Sequence, residues 1–222
     1  MMPMLPRTCR LLAPAMAWLV AALGAGPARA IDSFDYTPPE RGPKGELSRF
    51  VPENPDIVLE QVWAFIEQQG FTLESVNPQE RILVARYSGD PRPYVDCGLV
   101  TALDDGRPAD PPRQYSANKP EVRTAKTPKG RRIGLLRRMQ LDARLVVRVE
   151  PRGTGARVFS VSTYVAAKSI NRLRKGARPD ELVDQEVISF QSGEEGRFAK
   201  GTVCVATGKL ESLPLSLFRK TT

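Results

Sequence analysis

Met139-Gln140-Leu141-Asp142-Ala143-Arg144-Leu145-Val146-Val147-Arg148-Val149-Glu150 is the stretch that decides the fold. Apolar side chains at 139, 141, 143, 145, 147 and 149 alternate with polar ones, and Val146 is the one exception. A period of two describes a strand with one packed face and one wet face, as in an antiparallel sheet. Pro151-Arg152-Gly153-Thr154-Gly155 supplies a turn. Phe159, Val161, Thr163 and Val165 then share one face of a second strand. The pair reads as a long hairpin.

Upstream, the spacing predicts a helix over residues 55–69. Asn54 is a good N-cap, Pro55 suits the first helical position, and Asp56 complements the positive end of the helix dipole. Leu59, Val62, Trp63 and Ile66 recur on one face, which places Trp63 in the core, and Gly70 ends the run. Two strands follow, 71–74 and 82–87, joined by the turn Asn77-Pro78-Gln79-Glu80. A third, 94–100, carries Cys97.

The remaining segments are less regular. Residues 31–49 hold Pro38, Pro39, Gly42, Pro43 and Gly45, and read as an extended arm. Residues 104–138 are rich in proline and glycine and poor in apolar periodicity, and read as a long loop. Residues 180–191, led by Pro179 and acids, read as a short helix. Leu210, Leu213 and Leu217 share the face of a last helix, which Pro214 shortens. The assembled expectation is an α+β domain over 50–222. One long N-terminal helix and a short C-terminal helix pack on an antiparallel sheet of about five strands.

The N-terminus carries an address. Arg7 and Arg10 precede an apolar run through Leu23, and Ala28-Arg29-Ala30 is a small-x-small cleavage motif. Residues 1–30 therefore read as a signal peptide removed near Ala30, which predicts a periplasmic or secreted mature chain. No later segment is apolar and long enough to span a bilayer. Cys9 leaves with the signal, so Cys97 and Cys204 remain, and an oxidising compartment favours their pairing as a disulfide.

The chain contains no histidine and carries a net charge of +8. The first fact removes Ser-His-Asp and Cys-His nucleophiles and His-ligated zinc. Gln191-Ser192-Gly193-Glu194-Glu195-Gly196 lacks the lysine and spacing of a phosphate-binding loop, so no cofactor is expected. Asp104-Asp105 and Glu194-Glu195 read as solvated turn acids, and Asp96 as a residue that bonds turn amides. The surplus positive charge of the mature chain gathers in 104–138, where ten lysines and arginines face four acids. Arg123, Lys126, Lys129, Arg131 and Arg132 are its candidate anion- or partner-binding residues.

Val62-Trp63-Ala64-Phe65-Ile66-Glu67-Gln68-Gln69-Gly70-Phe71-Thr72-Leu73-Glu74 and Arg81-Ile82-Leu83-Val84-Ala85-Arg86-Tyr87 resemble a helix-grip domain of the C lipoprotein of the outer-membrane β-barrel assembly machine. The resemblance spans residues 50–89. It implies a helix laid across an antiparallel sheet in an envelope protein that acts through surfaces. No cysteine is placed for lipid attachment, and one such domain is found rather than two.

The functional expectation is an exported envelope protein, not an enzyme, that serves as an interaction or assembly factor. Its basic loop would contact an anionic partner: another envelope protein, a lipid headgroup or a glycan, with peripheral membrane contact and no nucleic acid. A second expectation is a binding module holding an apolar or amphipathic ligand between helix and sheet. A carboxylate-based hydrolase is the third, and it needs two acids converging in a cleft.

Overall fold

The computed structural model describes residues 34–43, 45–104, 107–126, 133–174 and 180–218. The expected signal peptide at 1–30 lies outside the described residues. In chain order the elements are β1 (Phe34–Thr37), β2 (Leu47–Val51), α1 (Pro55–Gln68), β3 (Thr72–Asn77), β4 (Ile82–Gly89), β5 (Val95–Asp96), β6 (Leu99–Asp104) and β7 (Arg107–Ser116). They continue as β8 (Glu121–Lys126), β9 (Ile133–Arg152), β10 (Gly155–Arg172), β11 (Glu181–Gln191), β12 (Glu195–Arg197), β13 (Val203–Ala206) and α2 (Lys209–Ser216).

The α+β expectation is overturned. The described chain is mostly β, with a seven-stranded sheet, two three-stranded sheets and only two short helices. The misread segments account for the difference. The supposed loop at 104–138 forms β7, β8 and the start of β9. The β7 strand accommodates Pro111 and Pro112 because the register jumps from Pro108 opposite Leu103 to Arg113 opposite Ala102, leaving both in an unpaired bulge of an edge strand, where a missing N–H costs no ladder bond. The supposed helix at 180–191 is β11, and the supposed arm at 31–49 supplies β1 and most of β2.

The spine is the β9–β10 hairpin, with strands of 20 and 18 residues. Its register runs unbroken from Gly155 opposite Arg152 to Arg172 opposite Leu135. Gly153 turns the corner at φ 58, the left-handed backbone a two-residue hairpin connection requires. Each strand is long enough to take two partners on its outer edge. β10 pairs with β2 near the turn and with β11 farther along. β9 pairs with β4 near the turn and with β8 at its far end. β3 then closes against β4.

The inner face of β9 follows the sequence pattern. Met139, Leu141, Ala143, Leu145, Val147 and Val149 are all buried. β10 does the reverse of what its apolar residues suggest. Phe159, Val161, Thr163 and Val165 do share a face, but it is the outer one. The buried face carries Val158, Ser160, Ser162, Tyr164, Ala166 and Lys168. Outside, Arg148 and Arg157 lie over the Phe159 ring at 4.9 and 5.4 Å.

α1 forms where the sequence placed it. Asn54 Oδ1 accepts the Asp56 N–H at 2.9 Å, and Pro55 opens the helix. Val58, Leu59, Val62 and Ile66 are buried against the sheet's inner face. Trp63, one residue past Val62 and so about a quarter-turn away, is 38% exposed rather than core. α2 buries Leu210 and Leu215 against the hairpin and contacts β10. Leu217, expected on its apolar face, is exposed.

Cys97 and Cys204 form a disulfide with a sequence separation of 107. It lies where β5 passes into β6, so it joins the sheet β12-β13-β5 to the chain that enters the sheet β1-β6-β7. Gly98 turns this corner at φ 77, and a Cβ there would sit 2.2 Å from Thr37 O.

Leu145 is fully buried, while its neighbour Arg144 points outward to Glu74 at 2.9 Å. Leu145→Ala is expected to cost about 2–5 kcal/mol in a denaturant titration. Arg144→Ala is expected to cost ~1 kcal/mol or less. Equal costs would show that the strand does not alternate as described.

Candidate functional site

Between the far end of the hairpin and the two small sheets lies a partly open cavity of about 370 Å³. Its floor and walls are largely carbon: Val100, Ala117, Met139, Ile170 and Phe198, with the rings of Tyr36 and Tyr115. Arg137, Lys168 and Lys200 bring three cations to it. Each position follows from the strands. Arg137 and Met139 are two apart on β9 and therefore on one face, as are Lys168 and Ile170 on β10. Phe198 and Lys200 come from the tight turn between β12 and β13, closed by the Phe198 N–H to Thr202 O bond at 2.9 Å.

Tyr36 fixes β1 against the disulfide corner. Its hydroxyl accepts the Val203 N–H at 2.9 Å and lies 3.1 Å from the carbonyl oxygens of Cys97 and Val203, one of which takes its proton. Burial pushes the Tyr36 phenol above its usual range.

The three cations differ in how they are compensated. Lys168, 7% exposed, pairs with Glu186 at 3.1 Å and lies 4.5 Å from the Phe198 ring centre. Ala199 N–H donates to the other Glu186 oxygen at 2.9 Å. Lys200 pairs with Asp184 at 2.5 Å, which holds the carboxyl below its usual range and pushes the ammonium above its own. Among the described residues Arg137 has no carboxylate partner. It donates to Ala117 O, and to Lys119 O at 3.3 Å, which fastens the β7–β8 turn to β9. Its guanidinium lies 5.5 Å from the Tyr115 ring centre. Arg137 Nε is buried and meets no acceptor among the described residues. Burial pulls the guanidinium below its usual range and pushes the Tyr115 phenol above its own.

A second polar cluster lies deeper. Glu211, 1% exposed, presents Oε1 to Tyr164 Oη at 2.5 Å and to Ser192 Oγ. Ser192 Oγ accepts the Ser162 N–H at 2.8 Å and is 3.0 Å from Ser162 O. Burial, then the adjacent Glu211 charge, raises the Tyr164 phenol far above its usual range. This cluster ties α2 to β10 and to the end of β11. The adjoining void offers no room for a ligand.

Of the sequence candidates, none of those described lines the cavity. Arg123 is exposed on β8 and reaches Glu121 at 3.4 Å. Lys126 ends β8, while Lys129, Arg131 and Arg132 lie outside the described residues. Asp96 Oδ1 accepts the Gly98 N–H at 2.8 Å, as expected of a turn-bonding acid. Glu194 accepts the Gln191 N–H at 3.2 Å, and Glu195 lies 3.5 Å from Arg197. Asp105 lies outside the described residues. Sequence reading missed Lys168 and Lys200 as site residues. The available signal was a lysine in the inward phase of β10, two residues from Ala166.

No family model matches this chain, and neither a curated protein nor a solved structure does.

The Asp184–Lys200 pair gives a pH test. Because the folded carboxyl sits low, its contribution to stability is present above the unfolded value of about 4 and is lost as pH falls through the lower folded value. An NMR titration should find Asp184 ionising below ordinary aspartates, and Lys200→Met should return it toward them. An unchanged midpoint in Lys200→Met would rule out the pairing.

Proposed function

We propose that this protein is exported to the cell envelope and works by binding an anionic partner, not by catalysis. The single observation behind this reading is the cavity in which Arg137 stands, among the described residues, without a carboxylate beside it and amid rings and aliphatic side chains. Positive charge in a poorly hydrated recess attracts anions far more strongly than the same charge on an open surface. The Cys97–Cys204 disulfide supports an oxidising compartment. Among the described residues no helix is long and apolar enough to cross a membrane.

The contact moves from the basic stretch as a whole to one of its residues. Arg123 stands in solvent with a carboxylate beside it, and such exposed charges add little to affinity on their own. In this reading the exposed cations of β8 and β9 steer an anionic surface toward the cavity, and Arg137 holds it. The partner classes are an acidic envelope protein, an anionic lipid headgroup or a charged glycan.

Cell fractionation with N-terminal sequencing tests the address. The native protein should appear in the osmotic-shock or envelope fraction, begin near Ile31, and resist alkylation at both cysteines unless reduced. Met1 intact on a cytosolic chain with two free thiols would end the reading. Co-sedimentation of the native protein with phosphatidylglycerol vesicles should exceed that with phosphatidylcholine vesicles and decline with added salt. Retention that ignores both lipid charge and salt would reject the anionic partner.

A further inference from the structure

The geometry points to a more specific occupant: we propose that the cavity holds a single-chain amphiphile with one negative charge on its head, the head on Arg137 and the chain across Met139, Ala117 and Phe198. This inference rests on the anionic-partner reading and narrows it.

The charge count carries the first half. Three cations line the cavity, and two of them already have carboxylates, Lys168 with Glu186 and Lys200 with Asp184. One positive charge remains uncompensated among the described residues, that of Arg137. A head with one negative charge balances it. A second negative charge would find no further uncompensated cation among the described lining residues, since Glu186 and Asp184 already balance the two lysines. The donors agree with this count. A guanidinium has five N–H groups. Ala117 O and Lys119 O take two of those on Arg137, and Met139 Sδ, 3.9 Å away, is at most a weak third partner. Nε is buried, so the N–H left on Nη2 and the weakly held one on Nη1 are those that can reach an occupant, and they suit an oxygen of a carboxylate or a phosphodiester.

The lining carries the second half. Below Arg137 the wall is Met139, Ala117, Phe198, Ile170 and Val100. These side chains give a small inorganic anion nothing to bond, but they would shelter methylene groups, each worth about 0.8 kcal/mol when buried. A volume of about 370 Å³ falls at the small end of the range for ligand sites, roughly 300–1,000 Å³, which suits one chain rather than two. Methionine and aromatic side chains adapt to a flexible chain without a fixed polar partner.

Isothermal titration of the native protein, with probes held below micelle formation, separates the possibilities. Dodecanoate and lysophosphatidylglycerol should both bind, which tests the carboxylate and phosphodiester heads in turn. Dodecyltrimethylammonium, with the same chain and the opposite charge, should bind at least tenfold more weakly, and acetate should not bind. Arg137→Met should weaken dodecanoate at least tenfold. Because Arg137 also fastens a turn, Val100→Trp serves as a second variant. It fills the cavity, leaves Arg137 in place, and should abolish binding while melting like the parent protein. Asp184→Asn, which releases Lys200, should shift preference toward dodecyl phosphate. Equal binding of the cationic probe would overturn the proposal, as would dodecanoate binding that survives Val100→Trp. Acetate or phosphatidylglycerol vesicles binding while both amphiphiles fail would overturn the amphiphile and leave the anionic partner standing. If no anion of any kind binds, both readings fall.

Discussion

Everything in this fold is hung on the unbroken pairing of two strands, 20 and 18 residues long. At roughly 3.3 Å per residue such strands run for about 60 Å, far beyond the usual strand of five or six residues. A ladder that long has more edge than one neighbour can cover, and bare edges invite pairing with other chains. Four shorter strands divide the two outer edges between them: β2 and β11 along β10, β4 and β8 along β9. The division has a geometric consequence. Near the hairpin turn the inner face is covered by α1, and farther along by α2 and the small sheets. Among the described residues the cavity is lined, opposite the spine, by β1, β6, β7, the β7–β8 turn and the β12–β13 turn.

The disulfide matters at that same end. The small sheets have three strands each, and β5, β12 and β13 are only two to four residues long. Ladders so short bury too little to hold their position unaided. The Cys97–Cys204 link and the Tyr36 hydroxyl, which bonds backbone on both sides of it, fix β1, β6 and β13 to a common corner. Arg137 does the equivalent on the opposite wall by holding the β7–β8 turn through two carbonyl oxygens. The walls of the cavity are thus set by a covalent link and by backbone hydrogen bonds, while its floor is left to carbon. In the chain-entropy account, closing a loop of this size is worth ~4–5 kcal/mol, enough to order sheets that could not order themselves.

The legible parts of the sequence were those where one physical signal acted alone. In α1, cap, proline, apolar spacing and terminal glycine agree, and the helix is where they put it. In β9 a strict period of two marks the inner face. The errors arose where two requirements share a strand. β10 has to carry Ser160, Ser162 and Lys168 inward to meet polar partners, so its apolar residues fall on the outer face and the pattern reads inverted. β11 carries Asp184 and Glu186 in its inward phase because Lys200 and Lys168 await them, and acids behind a proline imitate a helix start. β7 tolerates prolines that would break an interior strand, and so it imitates a loop. The misreadings of β7 and β11 removed strand from the expectation, which is why an α+β domain was expected where a mostly β one exists. The cations of the cavity were hidden for a related reason. Clustering along the chain points to local runs of charge, whereas Lys168 on β10 and Lys200 in the β12–β13 turn belong to different sheets and meet only through tertiary packing.

Those same inward polar residues separate the two buried clusters by what they can do. Around Glu211 the partners come from within: a tyrosine and a serine converge on one oxygen, the void beside it is closed, and α2 is thereby keyed to β10. Glu211 Oε2 is buried and meets no donor among the described residues, so Tyr164 and Ser192 carry the acid alone and the site has no room for another donor. The cavity differs in having that room. The acids there are already committed to two lysines, the arginine is held by neutral carbonyl oxygens, and the wall below it is apolar and reaches solvent. A half-buried cation whose partners among the described residues are all neutral retains an electrostatic demand. That demand, beside an apolar wall open to solvent, is the physical ground for the anionic occupant proposed above.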